Sequence, residues 1–243
     1  MSPADLPARV AGVAALAALA VLDQPLRLRL YELLAERRDW VGRDEAAEAL
    51  GLPRSVAAFH LDKLAGAGLV DVRYERPAGR GGPGAGRPAK RYRRSDREVT
   101  VSLPERRYDL ASAVLADAVA EATASGRPVA EAVADAARAT GRTVAESLGG
   151  PAGRGRAGAL RAAVAALRDL GYEPREQGGE VILDNCPFHA LAERHRELVC
   201  GLNLHLLTGV ADGLGAGDRL AAALRPEPGA CCVRLSARGA GPS

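Results

Sequence analysis

Cysteine and histidine residues concentrate towards the C-terminal end of the chain. All four cysteines follow residue 185, in the segments NCPFH, HRELVC and CCVRL. The candidate ligands for a metal are Cys186, His189, Cys200, Cys231 and Cys232. Thiolate and imidazole groups of this kind bind zinc and iron–sulfur clusters. The spacing is not that of a zinc ribbon, and inert buried thiols remain an alternative.

The spacing of these residues restricts how they can share a site. One straight helix from Cys186 to Cys200 would place them about 21 Å apart. A common site therefore requires the chain to turn back, and the polar run 193–197 permits a break there. Cys231 and Cys232 open a predicted strand, on which neighbours face opposite sides, so we expect Cys232 to point away from Cys231.

A second chemical signal is the basic segment 76–94. It contains seven Lys and Arg, five glycines, three prolines and no acidic residue. Such a segment cannot form a core, and its charge suits phosphate. Because it follows three predicted helices and an apolar strand, it predicts the wing of a winged helix–turn–helix. The predicted DNA contacts there are Arg80, Arg87, Lys90 and Arg91. A solvated loop or a protein-binding winged helix is the alternative.

The helix predicted before this wing, residues 54–65, has two faces. Ala57, Leu61 and Leu64 share an arc with His60 and should pack inward. The DNA-facing candidates are Arg54, Ser55, Ala58 and Phe59, next to Asp62. Arg54 and Ser55 lie at the helix N-terminus, which favours a phosphate, and Phe59 can meet a thymine methyl group. Asp62 has the wrong charge for such a surface.

The whole chain predicts an α+β protein with a winged helix–turn–helix, central helices and a small C-terminal domain with antiparallel strands. Its 243 residues allow more than one domain. We place the DNA-binding domain at 1–98, an alanine-rich helical dimerisation region at 99–150 and a Cys/His sensor domain at 151–243. Residues 1–98 contain 17 Lys and Arg against 13 Asp and Glu, so the positive excess is N-terminal.

The N-terminal apolar stretch, residues 10–22, resembles a signal peptide only weakly. It is too short to span a bilayer, and Asp5 offsets the charge of Arg9 before it. We therefore expect a buried N-terminal helix and a cytoplasmic protein without membrane association, in which cysteines stay reduced.

The sequence PRSVAAFHLDKLAGAGLVDVRYE, followed by GPGAGRPAKRYRRS, resembles the ArsR-type winged-helix repressors over residues 20–95. Its Gly-Arg-Pro wing is especially similar to that of the SufR-type iron–sulfur regulators. The resemblance implies a transcriptional regulator with an iron–sulfur cluster on Cys186, Cys200 and Cys231, and His189 is then the natural fourth ligand. Zinc is the alternative, since small vinyl-reductase-like zinc domains of bacterial sensors have a similar layout.

A winged-helix dimer reads half-sites related by two-fold symmetry, so the expected partner is double-stranded DNA with an inverted repeat. Two other interpretations remain open. One is a regulator that senses a small organic ligand in an apolar C-terminal pocket. The other is a thiol or zinc enzyme that uses Cys231, Cys232 and His189, although the sequence offers no nucleophile, base and orienting group to assign. We therefore expect that the protein is not an enzyme.

Overall fold

The computed structural model describes residues 6–75, 88–148, 153 and 155–238. The chain divides into two compact units, of which the first is Pro7–Val101 and the second contains the chain from Ser102 onward. The two helices of the predicted central region, Tyr108–Ser125 and Val129–Ser147, share one hydrophobic core with the C-terminal strands. In the described part of the chain, no helix is both long and apolar enough to cross a membrane.

The first unit has the predicted order of helices followed by a hairpin. Its elements are α1 (Leu6–Val21), α2 (Pro25–Arg37), β1 (Val41–Gly42), α3 (Arg43–Leu50), α4 (Arg54–Gly66), β2 (Val70–Glu75) and β3 (Ala89–Arg94). The strands form an antiparallel sheet in the order β1-β3-β2. Leucines of α2 and α4 form the core with Tyr92. Strand β1 was not predicted, because two residues give no periodic signal.

The turn between α3 and α4 follows from local chemistry. Gly51 ends α3 in the left-handed conformation at φ 63°, as the sequence predicts. Because Asp44 precedes the helical run 45–50, the sequence predicts Asp44 as the N-cap of this helix, and that prediction is wrong. Gly42 is the N-cap, and its N–H donates to the Glu45 carboxylate at 3.2 Å, while Asp44 lies in the first turn. An acidic side chain favours the start of a helix both at the N-cap and in the first turn. The sequence alone therefore does not tell which of these two positions Asp44 occupies.

The second unit confirms the α+β class. Its elements are α5 (Tyr108–Ser125), α6 (Val129–Ser147), α7 (Gly155–Asp169), β4 (Pro174–Gln177), β5 (Glu180–Leu183), α8 (His189–Arg194), α9 (Arg196–Gly213), β6 (Leu220–Leu224) and β7 (Val233–Ala237). The four strands are antiparallel in the order β4-β5-β7-β6. The chain does break at His195, between α8 and α9, as a shared cysteine site requires.

Helices α6 and α9 pack with their backbones in contact. A side chain at Gly209 of α9 would collide with the carbonyl oxygen of Arg138 in α6, and one at Gly141 would collide with that of Leu206. The sequence has few aromatic residues, and small residues at this crossing let the core close without them. The close approach therefore fixes the position of α9 in the second unit.

We predict that Gly209→Ala destabilises the second unit by about 1–3 kcal/mol, because the added methyl group must push two helix backbones apart. Gly201→Ala, in the same helix, is the matched control, since a Cβ there meets nothing within 4 Å. The control should be stabilising by about 0.5–1 kcal/mol through helix propensity. Chemical denaturation measures both, and equal effects of the two variants would contradict the close packing.

Candidate nucleic-acid interface and cysteine cavity

The outer face of α4 carries the predicted DNA-facing side chains. Ser55 and Phe59 are exposed, whereas Ala57, Leu61 and Leu64 are buried. The side chain of Phe59 is not tucked into the domain, because the residue is 58% exposed. Its ring makes an edge contact with His60, and the Lys63 ammonium lies 5.6 Å from the ring centre. This face is apolar at its centre and basic beside it.

Arg54 opens α4 and is available to solvent. Its side chain is 68% exposed, and Nε lies 2.5 Å from Asp44 Oδ1 of α3. Such an exposed ion pair is weak, so a phosphate can replace the carboxylate at small cost. Ala58 is partly buried between Ser55 and the inward face, and it leaves the groove-facing side of α4 shallow.

Asp62 binds α4 to the hairpin. Lys90 Nζ lies 2.5 Å from Asp62 Oδ1, and the Tyr92 hydroxyl donates to the same oxygen at 2.6 Å. Arg43 completes the group by donating from Nε to the Tyr92 hydroxyl at 3.0 Å. Partial burial alone would raise the pKa of Asp62, but the hydrogen bonds from Lys90 and Tyr92 outweigh burial and lower that pKa. The acidic charge that seemed wrong beside DNA is therefore neutralised within the domain.

Of the four predicted DNA contacts in the wing, the structure describes Lys90 and Arg91, and both pair with carboxylates. Lys90 pairs with Asp62 as above, and Arg91 pairs with Glu45 and, at 3.3 Å, with Glu75. Less than a third of either basic side chain is exposed. These contacts give Lys90 and Arg91 a role in anchoring the hairpin to α3 and α4. The other two predicted contacts, Arg80 and Arg87, lie outside the described residues.

The sequence did not reveal the structural roles of Trp40, Arg43 and Tyr92. The Trp40 ring lies under two guanidinium groups, with Arg73 4.5 Å and Arg93 4.9 Å from its centre. Because Trp40 precedes β1, this contact holds β1 against the hairpin. The only signal in the sequence was that this single tryptophan stands next to a predicted turn.

We predict that Tyr92→Phe lowers the free energy of unfolding of the first unit by about 1 kcal/mol, because it removes a buried hydroxyl with two partners. The loss should be greatest near neutral pH. The folded-state pKa of Asp62 lies below its ordinary value, so its contribution is present above about pH 4 and disappears as pH falls through the lowered pKa.

Tyr31→Phe is the matched control, since the Tyr31 hydroxyl has no hydrogen-bond partner recorded among the described residues. Urea denaturation at several pH values measures both variants. A Tyr92→Phe effect that is the same at pH 2.5 and pH 7 would show that Asp62 is not its partner.

The four cysteines of the second unit line one cavity of about 400 Å³. Cys186 comes from the loop between β5 and α8, Cys200 from α9, and Cys231 and Cys232 from the residues before β7. The expectation that Cys232 points away is wrong. The pair precedes the strand instead of lying on it, so strand alternation does not separate the two side chains.

The thiols interact with one another in this cavity. The pKa of Cys186 is raised far above its ordinary value, mainly by a hydrogen bond with Cys231 and then by burial. That bond lowers the pKa of Cys231, but a hydrogen bond with Cys232 and burial outweigh it and raise the pKa to about 11. Burial raises the pKa of Cys200 despite its hydrogen bond with Cys232. These raised pKa values favour the protonated thiol at Cys186, Cys200 and Cys231, so a metal would have to displace their protons.

His189 is at the edge of the same cavity. Its side chain is 58% exposed, and Nε2 lies 3.3 Å from Glu193 Oε1, one turn further along α8. Within the described ranges, no three His, Cys, Asp or Glu side chains are already arranged as a shell around one metal ion. In donor chemistry, however, four clustered thiols fit a soft, sulfur-binding metal group.

Two buried asparagines hold the elements around the cavity. Asn203 of α9 donates from Nδ2 to Cys231 Sγ at 3.1 Å, and its Oδ1 accepts a hydrogen bond from the Tyr172 hydroxyl. Asn185 donates to the carbonyls of Gly171, at 2.8 Å, and Glu105, at 3.1 Å. Arg106 donates to Asn185 Oδ1 and, at 3.0 Å, to the Cys186 carbonyl. Nothing in the sequence indicated the roles of Asn185, Asn203, Tyr172 and Arg106.

Comparison with known proteins identifies the first unit. Residues 22–73 match the family model described as a helix-turn-helix domain. The match covers α2, α3, α4 and most of β2, so it includes the face that carries Phe59. No curated protein and no solved structure matches the chain. A helix-turn-helix domain supports a DNA-binding regulator, and it is consistent with an ArsR-like winged layout.

Proposed function

We propose that this protein regulates transcription by placing α4 in the major groove of double-stranded DNA, with the basic hairpin beside it. The observation that supports this is the exposed apolar and small-residue face of α4 within the matched helix-turn-helix segment. Ser55 and Phe59 would contact base edges, and Arg54 a phosphate. Lys90 and Arg91 support the hairpin through their carboxylate partners, which leaves Arg80 and Arg87 as the main candidates for phosphate contacts.

The DNA site is proposed to be an inverted repeat read by a homodimer. The sequence of helix α1 is apolar after Arg9, and the exposed leucines Leu16, Leu19 and Leu28 of α1 and α2 give the first unit an apolar surface. Helices α5 and α6 add the exposed side chains of Val119 and Val129 in the second unit. A dimer that uses such surfaces would relate two α4 helices by two-fold symmetry.

We expect the double variant Arg80→Ala/Arg87→Ala to weaken binding to all duplexes and to reduce the slope of log affinity against log salt by roughly two units. Phe59→Ala should instead change the preferred bases in a selection from random duplexes, where the wild-type protein enriches an inverted repeat. Arg156→Ala/Arg161→Ala removes the same charge from exposed positions of the second unit and is the control. An unchanged salt slope in the Arg80/Arg87 variant would rule out these phosphate contacts.

For the second unit we propose a sensor that binds an iron–sulfur cluster, with zinc as the alternative. The clustering of all four thiols around one cavity supports this proposal. Cys186, Cys200 and Cys231 would hold the group, and either Cys232 or His189 would supply the fourth ligand. When bound, the group would supply a positive centre that keeps the thiolates ionised and, for a cluster, a redox couple. The chain's own residues hold the thiols together and limit their contact with water.

The cysteine loop is hydrogen-bonded to the segment that follows the first unit in sequence. The Arg107 N–H donates to the Pro187 carbonyl at 3.1 Å, next to the contacts of Arg106 with Asn185 and Cys186. A change at Cys186 would therefore reach residues 105–107. Coupling between metal loading and DNA binding must be reciprocal. Loading should therefore change the affinity for DNA by the same factor by which DNA binding changes the affinity for the metal.

We predict that protein prepared without oxygen contains iron and sulfide, or zinc. Cys186→Ser, Cys200→Ser and Cys231→Ser should each abolish loading, because a missing thiolate leaves an incomplete shell. Comparison of Cys232→Ser with His189→Ala identifies the fourth ligand, since the variant that retains loading excludes its residue. Anaerobic absorption spectra with metal and sulfide analysis provide the measurement. A wild-type protein that cannot be loaded with iron, sulfide or zinc would leave the thiols as packing or redox residues.

A further inference from the structure

The side-chain amide of Asn203 is buried among apolar residues, where hydrogen bonds must offset the cost of its burial. The residue is 1% exposed and lies in α9 one turn after Cys200. Leu202, Leu206 and Leu207 of the same helix are buried around it in the hydrophobic core. A buried amide without partners costs several times more free energy than a hydrogen bond contributes, so its partners determine what the residue does.

Both ends of this amide have a partner, and the two partners are chemically different. The Tyr172 hydroxyl donates to Oδ1, and the N–H group of Nδ2 points to Cys231 Sγ, 3.1 Å away. Tyr172 is itself buried, and its ring packs edge-on against Phe188 at 6.4 Å. Because the Tyr172 hydroxyl occupies the oxygen end, the amide presents its N–H end to the sulfur. Cys231 Sγ is therefore the acceptor of the hydrogen bond from Asn203.

A neutral thiol sulfur is a weak hydrogen-bond acceptor, whereas the thiolate of a metal ligand is a strong one. A thiolate accepts hydrogen bonds, and an N–H···S bond withdraws electron density from it, which changes the strength and the colour of a metal–sulfur bond. Among the described residues, Cys231 is the cysteine for which a neutral side-chain N–H donor is recorded. Arg106, by contrast, binds the backbone carbonyl of Cys186 and not its sulfur.

We propose that Asn203, held by Tyr172, is the positioning residue that orients Cys231 Sγ as a thiolate ligand and tunes its bond to a soft metal. The inference rests on the proposed metal-binding function of the second unit. Tyr172 fixes the amide, the amide fixes the sulfur, and Cys231 thereby becomes the ligand whose direction is set before a metal arrives.

Cobalt(II) added to the reduced, metal-free full-length protein under anaerobic conditions tests this. Its thiolate-to-metal charge-transfer band reports both affinity and electron density at sulfur. Asn203→Leu should raise the dissociation constant for Co²⁺ roughly 10-fold and shift the band to longer wavelength, because the sulfur loses its side-chain N–H donor. Tyr172→Phe, which keeps the ring, should cause a smaller change in the same direction.

Thr208→Val is the matched control. It removes a side-chain hydrogen bond from the same helix, to the Leu204 carbonyl, without altering Cys231. Its band and dissociation constant should equal those of the wild-type protein. A purely structural role of Asn203 would change affinity without a band shift, and that result overturns the proposal. If Asn203→Leu does not fold, the band of Tyr172→Phe decides in its place.

The outcomes also separate this inference from the proposed function. Equal bands and constants in wild-type protein, Asn203→Leu and Tyr172→Phe overturn the role of Asn203 and leave metal binding intact. A wild-type protein without any thiolate–cobalt band overturns the metal-binding function, and the inference that rests on it fails too. Neither result tests the separate proposal that the first unit binds DNA.

Discussion

The backbone contact between α6 and α9 is the constraint on which the second unit depends. Gly141 and Gly209 let two helices approach until no side chain fits between them, so α9 has little freedom to rotate or slide. Cys200 and Gly209 are nine residues apart, which places them about 180° apart around the helix. Because one face is fixed against α6, the opposite face must carry Cys200 and Asn203 towards the cavity. The packing of small residues thus determines which side chains meet the loops with Cys186 and Cys231.

In the first unit, the equivalent constraint is electrostatic. Three groups converge on Asp62, and Asp62 is the residue of α4 that the hairpin engages. Without the carboxylate, Lys90 and Arg43 would repel each other near the end of the helix. The acidic residue therefore allows a strongly basic hairpin to lie beside a helix proposed to contact DNA.

Helix order and the hairpin could be predicted because each has a local cause, such as the turn residues around Gly51. The polar run 193–197 only permitted the break at His195, in a segment that otherwise predicts one helix from 187 to about 213. The side-chain partners could not. Asp62 and Tyr92 are distant in sequence, as are Asn203 and Cys231, and no periodic pattern relates them. The orientation of Cys232 was wrong for a related reason. Cys231 and Cys232 precede β7, so the alternation of side chains along a strand does not apply to them. The start of β7 depends on pairing with β6, which a local pattern does not reveal.

The cysteine cavity combines two opposing features. Clustering and burial keep the thiols protonated, as the raised pKa values of Cys186, Cys200 and Cys231 show. The hydrogen bond from Asn203 to Cys231, in contrast, favours a sulfur that accepts. In the metal-free chain the first effect dominates, because a thiolate in a buried cluster would lack a positive counter-charge. A bound cation would remove that cost and release protons, after which the N–H donor would stabilise the ionised sulfur instead of facing a neutral thiol. Under the proposed metal-binding function, the cavity would therefore hold its thiols in two different states, one with and one without a cation.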